Sequence, residues 1–171
     1  MKEHALHIVL HEPEIPQNTG NIARTCAAIG ATLHLIEPLG FSVDERAVRR
    51  AGLDYWDQVS VKTYASWEVF SSSQEDRCHD WFSRAYCLTT KGYHNYTEPS
   101  YPEMTWLIFG KETKGLPMEI IDRAANRAIR IPMRADSRSL NLSNAVAVCG
   151  FEVFRQWGWP GLALTRYGDN T

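Results

Sequence analysis

Residues 6–36 read LHIVLHEPEIPQNTGNIARTCAAIGATLHLI, and this stretch decides the fold class. Leu6–Leu10 is a short apolar run. His11–Asn18 is a polar loop stiffened by Pro13 and Pro16, and Thr19 is placed to cap a helix after it. Ile22, Cys26 and Ile29 then recur at i, i+4 and i+7, one apolar stripe with Asn21 and Arg24 turned away from it. Thr32–Ile36 is a second apolar run, so the stretch forms a strand–helix–strand unit of the kind that builds parallel sheets.

The same alternation continues along the chain. Further strands are expected at Gln58–Lys62, Ala85–Thr89, Trp106–Phe109 and Ala128–Ile131, with helices in the gaps. Asp44 is expected to open a helix carrying Arg46, Arg49 and Arg50, and Leu116-Pro117 to start another with Pro in its first turn. The last helix, Leu142 to Trp157, is apolar nearly all round in its first two turns, which predicts burial, with a second subunit as a candidate surface to cover it. The expectation is an α/β fold, a mainly parallel sheet flanked by helices, in one domain spanning residues 1–171 with a short tail from about residue 160. No repeat, low-complexity segment or linker interrupts it, and Glu75 to Asp80 reads as a solvated helix face.

With 18 Lys plus Arg against 20 Asp plus Glu the net charge is −2, so nucleic-acid binding has to rely on a local patch and DNA is not an expected partner. The amino-terminal residues are interrupted by Glu3, His4 and His7, unlike a signal peptide, and the run Ala145–Phe151 is too short to span a bilayer. A cytoplasmic protein without membrane contact is expected. Cys26, Cys78, Cys87 and Cys149 are scattered with no C-x-x-C, and the histidines lack ligand spacing, which predicts reduced thiols and no metal.

Three polar segments follow apolar runs, where open α/β sheets bind ligands. In Pro13–Arg24, Asn18, Asn21 and Arg24 recur at intervals of three near a helix start, suited to a phosphate or carboxylate, although an ordinary β–α loop would look similar. In Leu107–Pro117, Gly110 allows a ligand to approach the backbone and Glu112 adds a carboxylate, but Leu116-Pro117 stand where a Walker A loop needs Lys and Ser or Thr. No G-x-G-x-x-G follows Leu6–Leu10, so an ordinary dinucleotide site lacks support. In Ile129–Ala145, Ser139, Asn141, Ser143 and Asn144 exceed what helix capping requires, and Arg123, Arg127, Arg130, Arg134 and Arg138 form a basic cluster opposed by Asp136 alone.

PEIPQNTGNIAR at residues 13–24, IFGKETKGLP at 108–117, and IPM at 131–133 followed by SRSLNLSNAV at 137–146 resemble, in this order, the three motifs of the SPOUT-type RNA 2′-O-methyltransferases. The chain is most similar to the minimal family that methylates the wobble pyrimidine, C34 or U34, of tRNA, leucine isoacceptors among them. AGLDY at 51–55 and LTTKG at 88–92 extend the resemblance over nearly the whole chain, and Lys111 departs from it where Pro is the family residue. The resemblance implies a carboxy-terminal deep trefoil knot, an exception to unknotted topology. It implies S-adenosylmethionine as cofactor, S-adenosylhomocysteine as product and no metal. Cofactor contacts are implied for Leu88, Thr89, Gly110, Glu112, Gly115, Ile131, Met133, Ser139, Leu140 and Asn144. Arg24 is implied as the central catalytic residue, with Asn18, Glu112, Ser139 and Asn141 fixing it or the ligand.

Arginine stays protonated, its pKa being above about 12, so Arg24 is expected to orient the hydroxyl through a phosphate and to stabilise developing alkoxide. The tRNA anticodon stem-loop is the expected partner, gripped by Arg46, Arg49, Arg50, Arg134 and Arg138, and a homodimer is implied. Two other readings compete: a ribosomal RNA methyltransferase of the same fold, and a non-catalytic RNA-binding module. The absence of an appended RNA-binding domain favours the minimal tRNA family, and Arg24, Glu112 and Ser139 together favour catalysis.

Overall fold

The computed structural model describes residues 4–43 and 55–165. Its centre is a seven-stranded parallel sheet, with β1 at Ala5–His11, β2 at Thr32–Ile36, β3 at Val61–Tyr64, β4 at Ala85–Leu88, β5 at His94–Asn95, β6 at Met104–Phe109 and β7 at Ala128–Arg130. The order across the sheet is β3-β2-β1-β6-β4-β7-β5. The helices are α1 (Pro16–Ile29), α2 (Trp67–Arg77), α3 (Met118–Ala124) and α4 (Leu142–Trp157).

Because side chains alternate across a strand, β1 serves two cores at once. Leu6, Ile8 and Leu10 pack with Ile22, Cys26 and Ile29 of α1 and Val146, Cys149 and Val153 of α4. On the opposite face Val9 packs with Ile36, Trp106 and Ile108 of the sheet and with Phe70 of α2 and Ile120 of α3. A strand buried on both faces reads as a continuous apolar run, which is why Leu6–Leu10 was legible. Gly150 brings α4 close to α1, since a Cβ there would stand 3.3 Å from Cδ1 of Ile29.

Several expected boundaries shift. α1 begins at Pro16, with Ile15 in the capping position, and Thr19 lies buried inside the helix instead of capping it. Proline needs no backbone donor in the first turn, so Pro16 starts the helix earlier. β3 begins three residues later than expected, because Trp56–Gln58 forms a 3-10 turn. Pro117 occupies the N-cap position of α3, just outside the helix, without a side-chain capping bond. α4 matches its expected limits; Val148 and Phe151 are exposed on it, at 37% and 42%, so it is buried along one side. The helix expected from Asp44 lies outside the described residues, as do Arg46, Arg49, Arg50 and the end of the chain from residue 166. No helix among the described residues is long and apolar enough to cross a membrane.

A polar chain runs through the second core. The Trp106 indole donates to the Gln74 carbonyl oxygen at 3.1 Å, and the His7 ring stacks on Trp106 at 4.6 Å. His7 Nδ1 meets His34 Nε2 at 3.0 Å, and His34 Nδ1 meets the Tyr64 hydroxyl at 3.0 Å. Two imidazoles that share a hydrogen bond need one nitrogen to accept it, so both rings cannot be cationic. Burial, reinforced by Arg77 and Lys62, lowers the His7 pKa to about 4; burial also lowers that of His34 to about 2.

These shifts set the sign of a pH effect. The unfolded chain titrates these rings near their usual value of about 6.5, whereas the folded chain keeps them neutral well below it. The stabilisation is therefore complete above that value and is lost as pH falls toward about 4, where His7 itself charges. Urea unfolding followed between pH 7 and pH 4.5 is expected to show uptake of about two protons from this pair. A His7→Gln, His34→Gln double variant should show a correspondingly shallower pH dependence.

Candidate functional site

A cavity of about 390 Å³ opens at the carboxyl ends of β6, β4 and β7. It lies beside the switch point between β1, whose connection runs to β2, and β6, whose connection runs away toward β7. Its size falls within the range of small-molecule sites. Three loops build its walls.

The loop after β6 crosses itself closely. A Cβ on Gly110 would lie 2.0 Å from the Gly115 carbonyl carbon, so only glycine fits there, and Gly115 takes φ +68, a left-handed conformation suited to glycine. Glu112 projects from this loop to the loop after β1. Its carboxylate accepts the backbone N–H of Glu14 at 2.8 Å, that of Ile15 at 3.1 Å and the Asn18 amide at 3.1 Å. The tie is reciprocal, because the Glu14 carboxylate accepts from the Thr113 backbone at 3.1 Å and its hydroxyl at 2.8 Å.

The third wall joins through Asn18. Its Oδ1 accepts from the Asn141 amide at 3.0 Å, and Asn141 Oδ1 accepts from the Ser143 backbone at 2.9 Å and the Ser143 hydroxyl at 2.6 Å, capping α4. Glu112, Asn18, Asn141 and Ser143 thus form one continuous relay across three segments that are distant in sequence.

The expected site residues mostly converge. Asn18, Glu112, Ser139 and Asn141 line the cavity. So do Leu88 at the end of β4 and Thr89 after it, Gly110 and Gly115, and Ile131, Met133 and Leu140. Asn144 is exposed on α4 and is not in the lining. Arg24 also lies outside it, exposed on α1 with its guanidinium carbon 5.0 Å from the centre of the Tyr55 ring. Arg134 and Arg138 are exposed in the loop before α4, and Arg134 pairs with Asp136 at 3.3 Å.

Other lining residues carried weaker signals in the sequence. Ile15, Lys91 and Arg130 contribute to the wall, and Leu116, Ile121 and Ala145 supply its apolar part. Ile15 sits between the two prolines of the first loop, and Lys91 belongs to the 88–92 segment; these were the available cues. Lys111, at the position where the resemblance has Pro, forms an ion pair with Glu12 that ties the ends of β6 and β1 together. Among the described residues no cluster of three or more His, Cys, Asp or Glu could hold a metal ion.

The SpoU rRNA Methylase family matches residues 5–151. The chain belongs to that family. A relative from Yersinia pestis, named tRNA (cytidine(34)-2′-O)-methyltransferase, is 50% identical over 161 residues, covering 93% of this chain and 98% of the relative. A solved structure described as concerning 2-OH methylation of C/U34 on tRNA superposes with a TM-score of 0.79 at 41% identity, over 91% of this chain and 97% of that one. An AdoMet-bound rRNA methyltransferase from Sinorhizobium meliloti superposes with a TM-score of 0.75 at 26% identity, over 90% of this chain and 57% of that one.

The Glu112 tie has a measurable consequence. Glu112→Ala removes the acceptor of two backbone donors and one amide, and charge-assisted hydrogen bonds of this kind suggest a loss of about 2–4 kcal/mol in urea unfolding. Glu112→Gln retains part of the acceptor capacity and should lose less, about 1–2 kcal/mol.

Proposed function

We propose that this chain transfers a methyl group from S-adenosylmethionine to the ribose 2′-hydroxyl of the wobble nucleotide, C34 or U34, of tRNA, releasing S-adenosylhomocysteine without a metal. The observation that carries the reading is the near full-length identity of 50% to a tRNA (cytidine(34)-2′-O)-methyltransferase, in a chain whose three motif segments close around one cavity. The ribosomal alternative has only the wording of the family description and a more distant neighbour behind it.

The cavity suits the cofactor. It combines an apolar wall, from Leu88, Leu116, Ile131 and Leu140, with backbone left open at Gly110 and polar side chains at Thr89, Ser139 and Asn141. Leu88, Thr89, Gly110, Gly115, Ile131, Met133, Ser139 and Leu140 would hold it. Bound there, S-adenosylmethionine supplies an electrophilic methyl group carried on a sulfonium.

The chain's own residues provide placement and electrostatics. Asn18, Glu112 and Asn141 fix the first loop against the cavity through their hydrogen-bonded relay. Arg24 orients the ribose through a backbone phosphate and stabilises negative charge that develops on the 2′-oxygen. Its position on the outer face of α1, away from the cavity of its own chain, supports a homodimer in which the first-motif segment of one protomer serves the cavity of its partner. The exposed apolar side chains Val148 and Phe151 on α4 are in keeping with such an assembly.

The proposal includes a trefoil knot. β7 lies between β4 and β5 although β5 follows β4 directly in sequence, and a Cβ on Gly92 in the β4–β5 connection would lie 2.5 Å from the Ile129 carbonyl carbon in β7. So close a crossing supports a threaded chain. It further includes a single methyltransferase domain, action in the cytoplasm, and recognition of the anticodon stem-loop with Arg134 and Arg138 near the cavity.

Labelled methyl transfer into tRNA from cells lacking the enzyme, with mapping of the modified nucleotide, tests the reading; label at a base or at another position overturns it. Arg24→Ala should keep cofactor affinity within a few fold and lose roughly 10²-fold in rate, the scale for removing a preorganised charged donor. Mixing inactive Arg24→Ala protomers with inactive cavity-mutant protomers should restore activity, since one composite site per mixed dimer is intact.

A further inference from the structure

Arg24 poses a mechanical problem, because a long exposed side chain has many rotamers and the proposed chemistry needs its guanidinium in one place. An ion pair with a carboxylate is the usual restraint. It would also consume the N–H donors and neutralise the charge that a phosphate requires. Among the described residues no carboxylate pairs with Arg24. Among the described residues its side chain meets the Tyr55 ring, with the guanidinium carbon 5.0 Å from the ring centre, within cation–π range.

A ring restrains a guanidinium by its flat face. The N–H donors lie in the plane of the group, so they stay free at its edge, and the charge remains uncompensated. Tyr55 is itself held in place. It immediately precedes the 3-10 turn Trp56–Gln58, which packs against α1, and the Tyr55 carbonyl accepts the Gln58 N–H at 3.0 Å. Trp56, the first residue of the turn, and Val59, just after it, are packed against the core that α1 shares with the sheet. The ring is thus presented to Arg24 from an anchored turn.

We propose that Tyr55 is a positioning residue for Arg24, holding the guanidinium by its face so that its N–H edge is free to bind a phosphodiester oxygen of the RNA. The inference rests on the reading of Arg24 given above. It adds the Tyr55 ring to the machinery, acting through another side chain and not on the reacting atoms.

The test is steady-state methylation of tRNA at saturating cofactor. Tyr55→Phe keeps the ring and should turn over within twofold of wild type. Tyr55→Leu keeps bulk without a π face and should lose about tenfold in kcat, with S-adenosylhomocysteine affinity by calorimetry and the urea midpoint unchanged. In an Arg24→Ala background the same Tyr55→Leu change should cost nothing further, a non-additivity that a purely structural role would not produce. Phenylalanines of increasing ring fluorination placed at position 55 weaken the π face at nearly constant shape, and kcat should fall in step with fluorination; this series decides the matter if Tyr55→Leu folds poorly. Full kcat for Tyr55→Leu, an equal loss in the Arg24→Ala background, or indifference to fluorination overturns the inference while leaving the methyltransferase reading intact. Failure of the wild-type protein to methylate tRNA overturns both.

Discussion

The site depends on one carboxylate. Glu112 follows β6, and the donors it receives, the backbone of Glu14 and Ile15 and the amide of Asn18, follow β1. β1 and β6 are neighbours whose connections leave in opposite directions, so nothing in the sheet ladder obliges their following loops to meet. A charged acceptor with three converging donors supplies that obligation, because amide donors enclosed in a loop need acceptors and carboxylate bonds are the stronger kind. Asn18, held through its amide nitrogen, has its carbonyl free to receive Asn141, which caps α4. One interaction therefore sets the loop after β1, the start of α1 and the entry to α4 relative to each other.

Much of the fold was legible because parallel strands buried on both faces advertise themselves as apolar runs. Thr32–Ile36 has the expected limits, and β1, β4, β6 and β7 differ from expectation by one or two residues at an end. The failures have separate causes. Gln58, expected to open a strand, instead ends the 3-10 turn Trp56–Gln58, and β3 begins only at Val61. α2 has almost no apolar stripe, burying only Phe70 and Gln74, so its existence followed from the strand–helix alternation and not from its own pattern. β5 is two exposed residues, His94 and Asn95, and its place beyond β7 is set by pairing partners distant in sequence.

The site was legible in its polar loops and obscure in its ties. Asn18, Glu112 and Asn141 stood out as hydrogen-bonding residues in glycine- and proline-rich segments; that they bond to one another depends on how three loops meet in space, which no local spacing encodes. Lys111 illustrates the same limit. As a sequence feature it is a departure from pattern, whereas in the structure it pairs with Glu12 and reinforces the junction that Glu112 makes from the other side of the loop.

Charge shows the limit most sharply. The arginines between residues 123 and 138 look like one basic patch along the chain, but they belong to a helix, a 3-10 turn, a strand and a loop, and the fold distributes them. Arg123 and Arg127 lie over the Phe82 ring at 4.1 Å and 5.8 Å, and Arg127 also donates to the Ala85 carbonyl at 3.1 Å, so both serve packing beneath α3. Arg130 faces the cavity, and Arg134 is tied to Asp136. Arg138 is exposed with no ion-pair partner among the described residues. A cluster of five in sequence thus becomes two residues of structural use, one at the ligand site and two at the surface, one of them already paired.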